Sequence, residues 1–90
     1  MAKKRERLKV IRDILEATKE SRHIKPTRLL YASNLSPQMF RDYIDELIKK
    51  GFIKLEIEED NKKFFSLTER GSKFLQEYKV IESFIENFGL

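Results

Sequence analysis

The chain has 90 residues, carries 19 Lys/Arg against 15 Asp/Glu for a net charge of +4, and contains no cysteine. This length suits one domain, and the missing cysteines exclude disulfides, thiolate zinc sites and cysteine nucleophiles. No apolar run approaches the roughly 18 residues of a membrane span and no signal-peptide pattern opens the chain, which predicts a soluble, cytoplasmic protein.

The charge is unevenly distributed along the chain. Residues 1–55 hold 14 Lys/Arg against 7 Asp/Glu, a net +7, whereas residues 56–90 hold 5 against 8, a net −3. Because a local basic face attracts phosphates, the first part is expected to meet a polyanion. Many Lys and Glu with few Asn and Gln also fit the ion-paired surface of a thermostable protein, and both interpretations stay open.

The chain opens with a short basic arm over residues 1–7, which includes Lys3, Lys4 and Arg5. Such an arm is either solvated or runs along a phosphate backbone. From about residue 5 to residue 21 the apolar spacing predicts a first, amphipathic helix. Its apolar stripe consists of Leu8, Ile11, Ile14, Leu15 and Thr18.

Residues 21–25 break this pattern and contain the only histidine, His23. One histidine without cysteine or an Asp/Glu cluster indicates a loop residue and not a metal ligand. Pro26 suits the first turn of a short second helix over about residues 26–32, with Leu29 and Leu30 turned inward. A tight turn over residues 32–35 then leads to a third helix, which is the helix-turn-helix pattern.

The third helix has signals at both ends. Ser36 is a good N-cap, Pro37 suits the first helical position, and Gly51 ends the helix. Between them one apolar stripe is formed by Phe40, Tyr43, Ile44, Leu47 and Ile48. This helix can therefore pack on a core while its N-terminal turn faces outward.

The opposite side of this helix is acidic at Asp42, Asp45 and Glu46. Helical i,i+4 spacing predicts that these carboxylates pair with neighbouring cations. The three expected pairs are Arg41–Asp45, Asp45–Lys49 and Glu46–Lys50.

After Gly51 the period changes from 3.6 to 2. Ile53, Leu55 and Ile57 alternate with charged residues, which predicts a strand with one apolar face. Residues 59–61 read as a hairpin turn, and residues 63–67 as the return strand. Three helices followed by a two-stranded hairpin is the order of a winged helix-turn-helix.

The last segment predicts a long helix from Thr68, a good N-cap, to about residue 87. Gly71 near its start indicates close backbone approach. At 1.5 Å per residue the helix would be about 30 Å long, too long for the small body to cover. Its large apolar groups therefore predict a homodimer interface, the alternative being a helix that folds back on its own domain. The interface residues, mostly at heptad spacing, are Phe74, Tyr78, Ile81, Phe84, Ile85 and Phe88.

Four blocks of the chain carry a family resemblance: residues 25–36 (KPTRLLYASNLS), residues 51–53 (GFI), residues 67–71 (LTERG) and the tail with Tyr78, Ile81 and Phe84. In combination they resemble the small archaeal winged-helix DNA-binding proteins. That group includes dimeric chromatin-associated members and transcriptional regulators. The resemblance implies a nucleoid-associated DNA-binding dimer held together by its C-terminal helix, without enzymatic activity.

The predicted fold class is α+β, mostly α: a winged helix-turn-helix with three helices, a two-stranded wing and a long C-terminal dimerisation helix. Residues 1–67 are expected to form the DNA-binding part, and residues 68–90 the dimerisation helix of the same single domain. Double-stranded DNA is the expected partner, bound with sequence or structural selectivity in transcriptional regulation or chromatin organisation.

The first turn of the third helix is the part expected to enter a major groove. Gln38 would read adenine, and Arg41 would read guanine or clamp a phosphate. Met39 would lie along a thymine methyl or pack locally. Further phosphate contacts are expected from helix N-termini, the wing and the N-terminal arm. They are Thr27, Arg28 and Ser36, then Lys62 and Lys63, then Lys3, Lys4 and Arg5.

One rival function stays open, a winged helix that binds another protein. The acidic wing tip at Glu58, Glu59 and Asp60 favours it. An enzyme is not expected, because there is no glycine-rich phosphate loop, no Ser/His/Asp set and no metal cluster. No cofactor and no metal are therefore predicted.

Overall fold

The computed structural model describes residues 3–90, with side chains from Glu6 onward. Its elements follow the predicted order and confirm a mostly helical α+β winged helix-turn-helix. Within residues 3–90, no helix combines the length and the apolar character that a membrane crossing requires. In chain order the elements are α1 (Lys3–Ser21), α2 (Pro26–Ser33), α3 (Pro37–Lys49), β1 (Ile53–Ile57), β2 (Lys63–Leu67) and α4 (Glu69–Asn87), with a short 3-10 turn at Glu59–Asn61.

The core is formed by side chains from every helix and both strands. Most of the α1 stripe is buried as predicted, and the buried Thr18 hydroxyl donates to the Ile14 carbonyl oxygen at 2.8 Å. Leu8 differs, since it is 42% exposed at the end of α1 that extends beyond this core. The buried apolar residues are Ile11, Ile14, Leu15, Ile24, Leu29, Phe40, Ile44, Leu47, Ile53, Phe65 and Leu75.

Both ends of α3 are fixed by the residues that the sequence indicates. The Ser36 hydroxyl accepts from the Met39 N–H at 3.3 Å, and Pro37 opens the helix. At the other end Gly51 has a φ of +78°, a conformation that favours glycine. The N–H groups of Gly51 and Phe52 donate back to the Ile48 and Leu47 carbonyls at 3.0 and 2.9 Å, the Schellman arrangement. The C-terminal end of α3 is thus closed by backbone hydrogen bonds that lead directly into the wing.

The wing is an antiparallel hairpin in which Ile53 pairs with Leu67 and Ile57 with Lys63. Its apolar β1 face is buried only at the base: Ile53 is 1% exposed and Ile57 is 61% exposed. Ile57 is exposed because the far end of the hairpin extends beyond the core. An unpredicted bridge joins Ile24, in the segment expected to be a loop, to Phe65 through two backbone hydrogen bonds of 3.0 and 2.8 Å. This bridge holds the return strand against the body.

Helix α4 starts inside the body and ends outside it. Thr68 caps it, as predicted, by accepting from the Gly71 N–H at 3.0 Å. Gly71 is required because a Cβ there would overlap the Phe52 carbonyl oxygen and the Leu67 side chain. Further along, the helix carries exposed apolar side chains, and the molecule is elongated, measuring 50 × 26 × 20 Å. The exposed apolar side chains beyond Tyr78 are Val80, Ile81, Phe84, Phe88 and Leu90.

Candidate nucleic-acid interface

The first turn of α3 is presented to solvent. Gln38, Met39 and Arg41 are all exposed, and Met39 has half of its surface accessible. Among the described residues, the Arg41 guanidinium has no ion pair or hydrogen bond, so the predicted Arg41–Asp45 pair is not formed. An exposed ion pair gains little over hydration of its two charges, which explains why spacing alone did not produce it.

A hydrogen bond links the predicted base-reading amide to an acidic neighbour. Gln38 Nε2 donates to Asp42 Oδ1 at 3.1 Å, one turn along the exposed side of α3. Of the three predicted i,i+4 pairs, only Glu46–Lys50 is present, at 2.8 Å. Among the described residues, neither Asp42 nor Asp45 has a cationic partner. The exposed side of α3 beyond its first turn therefore carries the carboxylates of Asp42 and Asp45 without an ion pair, on the same helix as the exposed cations Arg41 and Lys49.

Glu46 has a second partner that local spacing did not predict. Arg7 of α1 donates to its carboxylate, and the guanidinium also lies 5.7 Å from the ring centroid of Tyr43. The hydrogen bonds from Lys50 and then from Arg7 hold the pKa of Glu46 below its ordinary value. This contact fixes the start of α1 beside α3. The side chains of Lys3, Lys4 and Arg5, predicted to contact phosphates, lie outside the described residues.

A cleft of about 340 Å³ opens between the N-terminus of α2 and the wing tip. It brings together Thr27, Lys62 and Lys63, which the sequence predicts as phosphate contacts from separate segments. The sequence analysis did not predict Lys25 as a phosphate contact. Its position directly before Pro26, at the N-terminus of α2, was the signal that could have indicated it. None of the lining residues is acidic, and they are Lys25, Pro26, Thr27, Asn61, Lys62, Lys63 and Phe64.

The start of α2 adds to this positive surface. Its N-cap, Lys25, provides no side-chain hydrogen bond to the helix end. The N-terminus of a helix carries a partial positive charge from its free N–H groups, which favours an anion there. The side chains of Thr27 and Arg28 are exposed in the same turn.

His23 lies on the wing side of the body, next to Glu56 and Phe64. Its Nδ1 is 3.7 Å from Glu56 Oε1, and its ring meets Phe64 edge to face. The Ser66 hydroxyl donates to the same Glu56 oxygen at 2.5 Å and, as the largest cause, lowers the pKa of that carboxyl. Across residues 3–90, no cluster of three or more His, Asp or Glu is arranged to hold a metal ion.

The predicted dimer residues divide into two groups. Phe74 packs against Phe52 of its own chain, with ring centroids 5.4 Å apart. In contrast, Ile81, Phe84 and Phe88 are 54%, 57% and 67% exposed. Beside them a cleft of about 400 Å³ separates α1 from α4, with the apolar side chains of Leu8, Tyr78, Ile81 and Ile85 in its lining.

The comparisons with known proteins agree with this architecture. The winged helix-turn-helix family model matches residues 4–86. An uncharacterized protein of Methanocaldococcus jannaschii, MJ0287, is 45% identical over 80 residues, which cover 88% of this chain and 76% of that protein. A second uncharacterized protein of that organism, MJ0290, is 31% identical over 78 residues, and the match spans 87% of this chain but about a third of its length (34%).

Two solved structures share the fold. Sso10a-2, a DNA-binding protein from Sulfolobus solfataricus, superposes with a TM-score of 0.75 at 22% identity, covering 90% of this chain and 82% of its own. A protein from Bacillus cereus described as a MarR-like transcription regulator gives a TM-score of 0.72 at 17% identity, covering 87% of this chain and 59% of its own. The family match and these superpositions confirm the predicted resemblance.

Proposed function

The chain belongs to the winged helix-turn-helix family, and we propose that it binds double-stranded DNA as a homodimer. The observation that carries this proposal is the cleft between α2 and the wing. Three lysines from two separate segments of the chain converge there beside a helix N-terminus, without a carboxylate among the lining residues. Such a surface complements a phosphate backbone.

In the proposed complex the first turn of α3 enters a major groove. Gln38 reads adenine, and Arg41, which has no partner among the described residues, reads guanine or holds a phosphate. Met39 lies along a thymine methyl. Asp45, further along the helix, opposes deeper entry, because its carboxylate repels the flanking phosphates. The helix therefore meets DNA with its N-terminal end and not along its length.

Phosphate contacts surround this turn. Thr27 and Arg28 contribute from the start of α2, and Ser36 from the start of α3. Lys25, Lys62 and Lys63 bind the backbone through the cleft. Lys3, Lys4 and Arg5, which lie in the first turn of α1 and not in a separate arm, add further phosphate contacts. Such contacts fix the position of the protein on DNA but carry no sequence information themselves.

The outer half of α4 supports the homodimer. Each large apolar side chain that becomes fully buried contributes about 1.5–3 kcal/mol, so leaving Ile81, Phe84 and Phe88 in water is unfavourable. A second copy of α4 is the partner that matches this apolar surface. On this proposal residues 1–67 contact DNA, residues 68–90 join the two copies, and two α3 helices meet two half-sites of one duplex.

A non-enzymatic DNA-binding dimer of this kind is nucleoid-associated and serves transcriptional regulation or chromatin organisation. Its family is typically non-enzymatic. The second candidate function is a protein-binding module, which the exposed carboxylates of Asp42 and Asp45 and of the wing tip favour. These carboxylates repel phosphates but attract a basic protein surface.

A fluorescence anisotropy titration with a labelled mixed-sequence duplex separates these two functions. At low salt the proposal predicts a dissociation constant in the micromolar range or below, as for other non-specific complexes. Light scattering on the same protein without DNA should give a mass of about two chains. An unchanged anisotropy at low salt, combined with capture of a basic protein partner, would favour the protein-binding module instead.

A further inference from the structure

The hydrogen bond between Gln38 and Asp42 orients the amide that is expected to read a base. A carboxylate only accepts, so the amide NH2 must face Asp42 Oδ1 and the amide oxygen must point away from it. One N–H of Gln38 and its oxygen remain available. Asp42 keeps a second oxygen, Oδ2, for which the described residues provide no hydrogen-bond partner. The pair therefore offers the groove more acceptors than donors.

The position of Asp42 along α3 determines which part of the DNA its carboxylate would contact. Asp42 lies one turn after Gln38 on the same exposed side of α3, so in the proposed complex it faces the base pair next to the one that Gln38 reads. Among the described residues no cation neutralises it. A carboxylate at this place is repelled by the phosphates and finds a favourable partner only in a base-edge donor.

Base edges in the major groove differ in the donors that they offer. Cytosine presents the N4 amino group alone, whereas guanine presents two acceptors, N7 and O6, and thymine an acceptor and a methyl group. Adenine presents an amino group beside the acceptor N7. An acceptor-only carboxylate therefore matches cytosine best and is rejected by guanine.

We infer that Asp42 is a specificity-determining residue: its carboxylate accepts a hydrogen bond from the N4 amino group of a cytosine next to the base read by Gln38, and it fixes the orientation of the Gln38 amide. This inference rests on the proposed binding of DNA through the first turn of α3. The negative charge of Asp42 then disfavours guanine at one position and lowers the affinity of the protein for DNA as a whole.

The test is selection from a randomised duplex library, followed by affinity measurements on the recovered sequences and their C-to-G variants. The wild-type protein should prefer cytosine to guanine at one position by about tenfold, the discrimination of one good base contact. Asp42→Asn should bind all sequences more tightly, because a negative charge is lost, and reduce this preference to about twofold or less. The matched control is Asp45→Asn, an exposed aspartate on the same helix without a described partner.

The Asp45→Asn protein should gain affinity for all sequences while keeping the full preference for cytosine. An identical base preference in wild-type and Asp42→Asn proteins that both bind DNA would overturn the inference but leave the proposed function intact. A wild-type protein that binds duplexes without selecting any base would do the same. A failure of the wild-type protein to bind any duplex at low salt would overturn the proposed function as well.

Discussion

The Thr68 hydroxyl donates to the Gly51 carbonyl oxygen at 2.6 Å and so joins the two ends of the wing. The Thr68 hydroxyl oxygen in turn accepts from the N–H of Gly71 at the start of α4, at 3.0 Å. One side chain thus connects the end of the α3 segment, the exit of the wing and the beginning of the last helix. The position of the wing relative to α3, on which the proposed DNA interface depends, is fixed at this point.

Removing this hydroxyl should destabilise the fold. Thr68→Ala loses both the cap and the bond to Gly51, and we expect the free energy of unfolding to fall by about 1–2 kcal/mol, the upper part of the range for lost N-caps. Thr68→Ser retains both bonds and should lose less than about half of that. Urea denaturation followed by circular dichroism measures the difference. Equal losses in the two variants would contradict the role given to the hydroxyl.

Gly71 should not tolerate alanine, although alanine favours a helix by about 1 kcal/mol over glycine. The added methyl group would overlap the Phe52 carbonyl oxygen and the Leu67 side chain, so Gly71→Ala should lower the free energy of unfolding by about 1–3 kcal/mol. Gln76→Ala, at an exposed position of the same helix, is the control and should be neutral. The same urea titration tests both, and a stabilised Gly71→Ala protein would contradict the close approach.

The Glu46 contacts should make stability depend on pH in the acidic range. The pKa of Glu46 is lowered in the folded protein, chiefly by the hydrogen bond from Lys50 and then by that from Arg7. A lowered folded pKa adds stability above the unfolded value of about 4.3, and this contribution is lost as the pH falls through the folded pKa. Glu46→Gln should therefore lower the free energy of unfolding by about 0.5 kcal/mol at pH 7 and by progressively less as the pH falls to 3.

Urea titrations at pH 7, 5 and 3 measure this dependence. Glu77→Gln, a change on the exposed part of α4 without a described ion pair, is the control and should leave the acid limb unchanged. An equal effect of Glu46→Gln at all three pH values would show that the Arg7 and Lys50 contacts do not respond to ionisation.

The oligomeric state should respond to the exposed stripe of α4. One chain has a mass of 10.8 kDa, and we expect about twice this value for the wild-type protein by light scattering. Ile81→Glu would bury a charge in the interface and should shift the protein to the mass of one chain. Ser83→Glu adds the same charge about 160° around the helix and should leave the dimer intact. A monomeric wild-type protein, or dissociation by both variants, would contradict the assigned face.

The phosphate contacts should affect all DNA sequences alike. Arg28→Ala combined with Lys62→Ala removes two cations beside the cleft and should weaken binding by about tenfold on every duplex. Gln38→Ala should instead reduce the preference at one base position. Lys79→Ala, in the outer half of α4, is the control and should bind DNA normally. A double variant that changed preference and not affinity would contradict the division between phosphate and base contacts.

Local signals predicted most of the fold. Ser36, Pro37 and Gly51 mark the ends of α3 correctly, because caps and turns depend on conformations that few residue types favour. The Ile24–Phe65 bridge was missed, since a single pairing inside a loop leaves no periodic pattern. The alternation of residues also predicted an apolar face on β1, but it could not show that only the residue at the base of the strand, Ile53, is buried in the core.

The site was less predictable than the fold. Spacing suggested that Asp45 pairs with Arg41 and Lys49, but exposed partners at i,i+4 need not meet, and neither pair is formed. The Arg7–Glu46 contact joins residues 39 positions apart and depends on how α1 packs beside α3. Likewise, the convergence of Lys25 with Lys62 follows from tertiary structure. Periodicity orders residues along one element but does not show which elements meet.

The most direct test of the account is the salt dependence of duplex binding. For a wild-type protein that grips phosphates through the cleft, the logarithm of the association constant should fall linearly with the logarithm of salt concentration. The slope should be about −0.9 for each phosphate contact, or about −4 to −5 for five contacts. A slope near zero, or no binding even at about 50 mM salt, would contradict the claim that this protein binds DNA.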